Sequence, residues 1–115
     1  MTLSNSQAFE VQCDENGSTV SFKGALRLTG TEDYAPILDI LRGYLDRHVS
    51  QIVLDLRELD FLNSSGITMF SRFVIDTRDR GSSELLIIAS SEIPWHGRSL
   101  KNLQRLMPSL SIHMI

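Results

Sequence analysis

Two short apolar segments, Ile52–Leu56 and Glu84–Ala89, constrain the fold of this chain more than any other feature. Each is rich in Ile and Leu and precedes a segment whose apolar residues recur at spacings of three and four. The first pattern is typical of a buried strand and the second of an amphipathic helix. Strands that alternate with helices form parallel sheets with right-handed crossovers. Ile52–Leu56 is predicted to be a strand that is covered on both faces.

The rest of the chain extends this pattern. Residues of about 7–14 and 18–26 alternate between apolar and polar side chains around Asn16-Gly17, which predicts a β-hairpin. Helices are predicted at about 32–48, 65–79 and 98–107, with a loop at Pro94–Gly97 and a last strand through Leu110, Ile112 and Met114. The predicted order is β-β-α-β-α-β-α-β. This is an α/β fold with a mixed, mostly parallel five-stranded sheet and three helices mainly on one side.

Length and composition favour a single domain over residues 1–115, with residues 1–6 flexible. Eleven Lys and Arg against fourteen Asp and Glu give a net charge of −3, which argues against a general nucleic-acid binder. The one cysteine, Cys13, cannot form an internal disulfide or build a structural zinc site alone. Because no apolar run suits a bilayer span and the N-terminus lacks a secretion signal, we expect no membrane insertion and a cytoplasmic location.

The chain shows no pattern that indicates catalysis. Glycine-rich phosphate-binding motifs and G-x-S-x-G are absent. The histidines at 48, 96 and 113 do not have the spacing of a metal site or a catalytic triad. Asp55 and Asp60 do not form a recognisable acid–base pair. We therefore expect no catalytic residue, no metal and no cofactor, and the chain is not expected to be an enzyme.

The segment Asp60–Gly66 carries the most information about function. A buried strand runs into it, and Ser64 and Ser65 lie where the next helix begins. The unpaired N–H groups and the dipole of a helix N-terminus favour an anion there. A phosphate on either serine would add about −1.5 to −2 charges at pH 7. The alternative is a purely structural role, in which Ser64 or Ser65 is the N-cap and Gly66 allows a tight turn, because serine and asparagine are preferred N-caps.

The helix after this segment predicts a second part of the site. At about 100° per residue, its core face consists of Ile67, Phe70, Phe73, Val74 and Thr77. The opposite stripe consists of Ser65, Met69, Arg72 and Asp76. Met69 is therefore expected to be an exposed, adaptable apolar group one turn from Ser65. Such a stripe beside a serine loop suits a surface that docks a partner.

The segments Val53–Leu56 and Phe61–Ile67 together resemble the signature of STAS domains, which include the bacterial anti-sigma factor antagonists. The typical family sequence is an apolar strand with an Asp, a short loop, and D-S-S-G at the start of a helix. The resemblance covers most of the chain, since Gly24, the first helix, the E-L-L-I-I-A strand and the final helix and strand follow the family's order. It implies the STAS fold and a small module that regulates transcription through protein–protein interaction.

The resemblance also implies a mechanism. In this family a kinase-type anti-sigma factor binds the serine loop and the following helix, then phosphorylates the second serine, which ends the interaction. The implied phosphoacceptor is Ser65, and Ser64 is a weaker candidate. The implied partner-binding residues are Asn63, Ser64, Ser65, Gly66, Met69, Arg72 and Asp76. Asn63 stands where the family has Asp, so it keeps hydrogen-bonding capacity but carries no charge.

Other functions fit the same sequence. Because of Asn63, one alternative is a non-phosphorylated STAS subunit bound to the ATPase of an ABC lipid transporter. Trp95–Arg98 brings an aromatic ring and a cation together, which suits a nucleotide or lipid ligand or, more simply, an anchoring tryptophan. Exposed edge strands of so small a sheet also allow a homodimer.

Overall fold

The chain forms a six-stranded sheet and three helices within the residues that the structure, a computed structural model, describes: 2–5, 8–14 and 17–115. The elements are β1 (Thr2–Asn5), β2 (Phe9–Cys13), β3 (Thr19–Leu26), α1 (Gly30–Asp46), β4 (Gln51–Leu62), α2 (Ser64–Arg80), β5 (Glu84–Ala89), α3 (Pro94–Leu106) and β6 (Ser111–Met114). None of the helices formed by these described residues is long and apolar enough to cross a membrane.

The sheet follows chain order from β1 to β6. Strands β1, β2 and β3 pair antiparallel, whereas β3, β4, β5 and β6 pair parallel. The predicted element order and the mixed, mostly parallel sheet are confirmed from β2 onward. The predicted turn residue Asn16 lies outside the described residues.

Strand β1 is an element that the sequence did not predict. Thr2–Asn5 pair antiparallel with Phe9–Gln12, so the described residues form six strands rather than five. This tetrapeptide contains one apolar residue, Leu3, and therefore shows no period of two. Residues 2–5 are thus a strand, although flexibility was expected there, and residues 1 and 6 lie outside the described residues.

The helices differ from their predicted bounds mainly at their starts. Helix α1 begins two residues earlier than predicted, after the N-cap Thr29. Helix α2 ends as expected at a C-cap glycine, Gly81, in the left-handed conformation with a φ of 67°. The predicted loop at Pro94–Gly97 is wrong, because these residues form the first turn of α3. Proline is accommodated there because the first helical N–H needs no intrahelical acceptor.

The three helices form one layer on one face of the sheet. Helix α2 contacts both α1 and α3. The three parallel crossovers run in the same direction along the sheet, and right-handed crossovers place their helices on the same side. The core lies between this layer and the sheet, where alternate residues of β4 such as Ile52, Leu54 and Leu56 are fully buried.

The other face of the sheet is not covered by a second helical layer. Val53 and Asp55 of β4 and Ile88 of β5 point to this face and are half-buried. The prediction that Ile52–Leu56 is covered on both faces is therefore wrong. Asp55 accepts hydrogen bonds there from both the backbone and the guanidinium of Arg57, which hold the pKa of its carboxyl below the usual value.

Strand β4 is unusually long for this sheet and determines where the site lies. It has 12 residues, but it pairs with β5 only over Gln51–Asp55. Its second half continues past the end of β5 and pairs only with β3. Leu62 at its end lies opposite Leu26 at the end of β3. The segment after β4 thus meets the residues that lead into α1.

Candidate functional site

The site lies where β3 and β4 end and where α1 and α2 begin. The backbone N–H of Asn63 donates to the Leu26 carbonyl over 3.2 Å, which continues the β3–β4 pairing into the loop. Asn63 is the N-cap of α2, and Ser64 and Ser65 are its first two helical residues. The helix therefore begins within one residue of its predicted start, but its N-cap is Asn63 and not Ser64 or Ser65.

The side chain of Asn63 joins three parts of the fold. Its Oδ1 accepts from the Gly66 N–H over 3.0 Å, which caps the first turn of α2. The same Oδ1 accepts from the Tyr34 hydroxyl over 2.7 Å. Its Nδ2 donates to the Leu28 carbonyl over 2.8 Å. Asn63 thus connects α2 to α1 and to the segment after β3.

These partners explain the amide at position 63. The Gly66 N–H can only donate and the Leu28 carbonyl can only accept, so the two ends of the side chain must differ in chemistry. An ionised aspartate has no donor, and one of its oxygens would face the Leu28 carbonyl oxygen. Asn63 therefore donates to the Leu28 carbonyl, whereas the Asp of the D-S-S-G pattern, when ionised, would leave this carbonyl without a donor.

Tyr34 forms the α1 side of this junction. It is 1% exposed, and its hydroxyl is a donor to Asn63. Burial raises the pKa of the Tyr34 hydroxyl, although a hydrogen bond with the Leu28 backbone acts in the opposite direction. The hydroxyl therefore stays protonated at neutral pH and keeps its donor role. No local sequence pattern connects Tyr34 to Asn63, which lies 29 residues away.

The two serines differ in exposure. Ser64 is exposed and Ser65 is half-buried. In contrast to Asn63, neither hydroxyl forms a hydrogen bond with any other described residue. Each hydroxyl is therefore available to an incoming group and is not oriented by a neighbouring base.

Gly66 is required by close packing. It is buried, and a Cβ there would overlap the side chain of Leu62 and lie 2.8 Å from the Tyr34 hydroxyl oxygen. A side chain at this position would push the first turn of α2 away from the Asn63 junction. Gly66 therefore allows close packing of α2 against Leu62 and Tyr34, and it has no side chain that could contact a partner.

A small pocket opens between the N-terminal halves of α1 and α2. It is lined by Thr31, Tyr34, Leu38, Ser65, Met69 and Arg72. Its accessible volume of about 10 Å³ is room for about one water molecule. The lining combines the apolar side chains of Leu38 and Met69 with three hydroxyl-bearing residues, Thr31, Tyr34 and Ser65, and with Arg72. The site therefore presents a shallow depression beside Ser65.

The predicted exposure of Met69 is wrong. Met69 is 3% exposed and belongs to the hydrophobic core. The reason is that α2 packs against both the sheet and α1, so its buried arc is wider than one face. Only the part of Met69 that lines the pocket is within reach of a ligand.

The two charged residues of the predicted stripe have different roles. Asp76 accepts from Arg42 of α1 over 2.7 Å, so this carboxylate stabilises the contact between the helices. Arg72 is exposed and forms no ion pair or hydrogen bond with any other described residue. Arg72 is thus the charged member of the stripe that has no ion-pair partner among the described residues, and it lines the same pocket as Ser65.

Trp95 and His96 lie in the first turn of α3 and not in the loop that was considered as a ligand site. The Trp95 Nε1 donates to the Leu59 and Asp60 carbonyls, each over 3.1 Å. His96 is 0% exposed, and its Nε2 lies 3.2 Å from the Leu59 carbonyl. These carbonyls belong to the half of β4 that extends past β5. The anchoring role of Trp95 is the one that the structure shows.

The hydrogen bonds of His96 determine its protonation. Its Nδ1 accepts from the Ser90 N–H over 3.0 Å, so the ring proton is on Nε2, which donates to the Leu59 carbonyl. Burial lowers the pKa of His96, although the Leu59 hydrogen bond and the charge of Asp60 act in the opposite direction. No cluster of three or more His, Cys, Asp or Glu side chains in the described part of the chain is placed to hold a metal ion.

Comparison with known proteins shows the fold. No protein-family model matches the chain, and no curated protein matches it. The structure is similar to SiaC of Pseudomonas aeruginosa, with a TM-score of 0.76 and 14% identity over 100% of this chain and 96% of that one.

Two further solved structures are similar over most of their length. One is a chain from the complex of the diguanylate cyclase SiaD with its activator SiaC from Pseudomonas aeruginosa, with a TM-score of 0.69 and 15% identity over 100% of this chain and 99% of that one. The other is an anti-sigma factor antagonist from Mycobacterium paratuberculosis, with a TM-score of 0.61 and 19% identity over 96% of this chain and 84% of that one. The chain therefore has the STAS-like fold that the serine-loop motif implied.

Proposed function

We propose that this protein is a small regulatory module that works by docking another signalling protein at the start of α2. The proposed docking surface consists of the exposed Ser64 and Arg72, the half-buried Asn63 and Ser65, and the part of the buried Met69 that lines the pocket. In this proposal the protein is cytoplasmic and has no catalytic activity of its own. Gly66 and Asp76 support the surface through their contacts inside the fold.

The observation that carries the proposal is the state of the two serine hydroxyls. They lie on a helical turn that Asn63 caps, yet neither forms a hydrogen bond with a described residue. Polar groups that are fixed in place but unpaired are suited to recognition by a partner. The neighbouring pocket and the free guanidinium of Arg72 add an apolar contact and a charge.

Two similar structures support a regulatory role. One is named as an anti-sigma factor antagonist, and the other was solved as an activator bound to a diguanylate cyclase. Both names describe proteins that act through another protein. The first candidate partner for this chain is therefore a kinase-type anti-sigma factor. The second is a signalling enzyme that docking would activate, which the similarity to the chain from the SiaC–SiaD complex favours.

The proposed switch is phosphorylation of Ser65. The Ser65 oxygen would bond to the terminal phosphorus of ATP as the bond to ADP breaks, and the hydroxyl proton would pass to the kinase. The added charge of about −1.5 to −2 at pH 7 would lie at the rim of the pocket and disfavour an apolar or acidic partner surface. Ser65 is preferred to Ser64 because it lines the pocket. A phosphatase would restore docking.

Titration calorimetry with purified candidate partners tests docking. We expect one partner to bind the unmodified protein, and Ser65→Asp to weaken that binding at least about tenfold, or about 1.4 kcal/mol. Ser82→Asp is the matched control, since Ser82 is exposed beyond the other end of α2. Binding of Ser65→Asp that equals the wild type would contradict the proposed docking surface.

Mass spectrometry after incubation with the candidate kinase and ATP tests the modification. We expect phosphate on Ser65. Stable binding to a transporter ATPase, with no phosphate on Ser64 or Ser65, would support the non-phosphorylated alternative and exclude the switch.

A further inference from the structure

We propose that Arg72 is the intramolecular receptor for a phosphate on Ser65. This inference rests on the proposed function, because it assumes that Ser65 is the modified residue. It identifies Arg72 as the residue of this chain that would bind the phosphate. A phosphate on Ser65 would then change the surface in two ways. It would add its own charge, and it would bind the guanidinium of Arg72.

The position of Arg72 on α2 makes this contact geometrically accessible. Ser65 and Arg72 line the same pocket. They are two helical turns apart, which is about 10 Å along the axis. Long helical side chains lean toward the N-terminus of their helix, which is the direction of Ser65 from Arg72. A phosphate on Ser65 extends in turn beyond the hydroxyl, which shortens the remaining gap.

The charge of Arg72 is available for this contact. Four other arginines, namely Arg42, Arg57, Arg78 and Arg80, form ion pairs with aspartates. Arg72 forms none with the described residues, so no existing contact has to break. Arginine binds phosphate through two parallel N–H···O bonds, which makes the pair both stronger and more directional than a lysine contact.

Closure of this pair would change the docking surface in two ways. The phosphate and the guanidinium would lie at the pocket that Leu38 and Met69 also line. The apolar depression would be covered, and the one free charge of the stripe would be neutralised locally. A partner that uses either feature would lose it on phosphorylation.

A protein with phosphoserine encoded at position 65 tests the proposal without a kinase or a partner. The phosphate is titrated by ³¹P NMR in the wild-type background and in Arg72→Gln. We expect the second pKa of the phosphate to be lower by about 0.5 to 1 unit when Arg72 is present, because a nearby cation favours the doubly charged form. This difference should shrink at 1 M salt. Arg72→Lys should keep only part of the difference.

The control is Arg105→Gln, because Arg105 is exposed in the last turn of α3, where the next residue, Leu106, contacts Arg78 near the C-terminal end of α2. It should leave the titration unchanged. Equal pKa values of the phosphate in the wild type and in Arg72→Gln, with both proteins folded by circular dichroism, would overturn the role of Arg72. That result would leave the docking proposal intact, since docking is measured separately with the unmodified protein.

Discussion

The side-chain amide of Asn63 donates to the carbonyl of Leu28 over 2.8 Å, and this bond joins the N-cap of α2 to the segment that leads into α1. The contact spans 35 residues of sequence. It requires a donor at position 63, which an ionised aspartate lacks. Asn63, which stands where the D-S-S-G pattern has Asp, therefore makes a contact that an ionised aspartate could not make.

Asn63→Asp should destabilise the protein at neutral pH. Loss of the donor and burial of a charge beside a carbonyl should lower the free energy of unfolding by about 1–3 kcal/mol. The folded-state pKa of the new carboxyl should be raised above its unfolded value of about 3.9. The destabilisation should therefore be absent below that pH and grow as pH rises through the raised folded value. Urea denaturation between pH 3 and 8 measures it.

Asn102→Asp is the control for this substitution, because Asn102 is exposed on α3. It should change the free energy of unfolding by no more than about 0.5 kcal/mol. An Asn63→Asp protein that is as stable as the wild type at pH 7 would show that the Leu28 contact contributes nothing.

Gly66→Ala should destabilise the fold through overpacking. The new Cβ would overlap Leu62 and lie 2.8 Å from the Tyr34 hydroxyl oxygen, so we expect a loss of about 1–3 kcal/mol in the free energy of unfolding. The matched control is Gly43→Ala in the interior of α1, where no atom lies within 4 Å of the added Cβ. That change should stabilise the protein by about 0.5–1 kcal/mol. Thermal denaturation that moves both variants in the same direction would contradict this assignment.

Met69→Ala should lower the stability of the fold, in addition to any effect on docking. Because Met69 is 3% exposed, its truncation should reduce the free energy of unfolding by about 2–5 kcal/mol. Met114→Ala is the control, since Met114 is 42% exposed and should change stability by less than about 0.5 kcal/mol. Chemical denaturation distinguishes the two. A stable Met69→Ala protein would indicate that this side chain is in solvent after all.

His96 should make the fold less stable in mild acid. Its pKa is lowered by burial, so the unfolded chain binds the proton more readily than the folded one. The contribution of neutral His96 is fully present above the unfolded pKa of about 6.5 and is lost as pH falls through the folded value. His96→Gln should show a smaller loss of stability between pH 7 and pH 5 than the wild type.

The control for His96 is His113→Gln, because His113 is exposed on β6. It should follow the wild-type pH dependence. If His96→Gln also follows it, the buried imidazole does not titrate in this range.

The sequence predicted the fold well because its apolar periods are local. β5 was predicted at its observed bounds, and α2 within one residue at each end. The contact of Tyr34 with Asn63 joins residues 29 positions apart, and no local pattern indicates it. Met69 was misplaced because a helical projection assumes one buried direction, whereas α2 packs on both the sheet and α1. The start of α3 was missed because its proline resembled a loop signal.

The 12-residue length of β4 has a consequence for binding thermodynamics. The half of β4 that extends past β5 forms hydrogen bonds with Trp95 and His96 of α3. The turn after β4 is held by the hydrogen bond between Tyr34 and Asn63. The docking surface that we propose would thus be pre-organised before any partner arrives, so association would lose little backbone entropy there. Differences in affinity among variants of this surface should therefore appear chiefly in the dissociation rate.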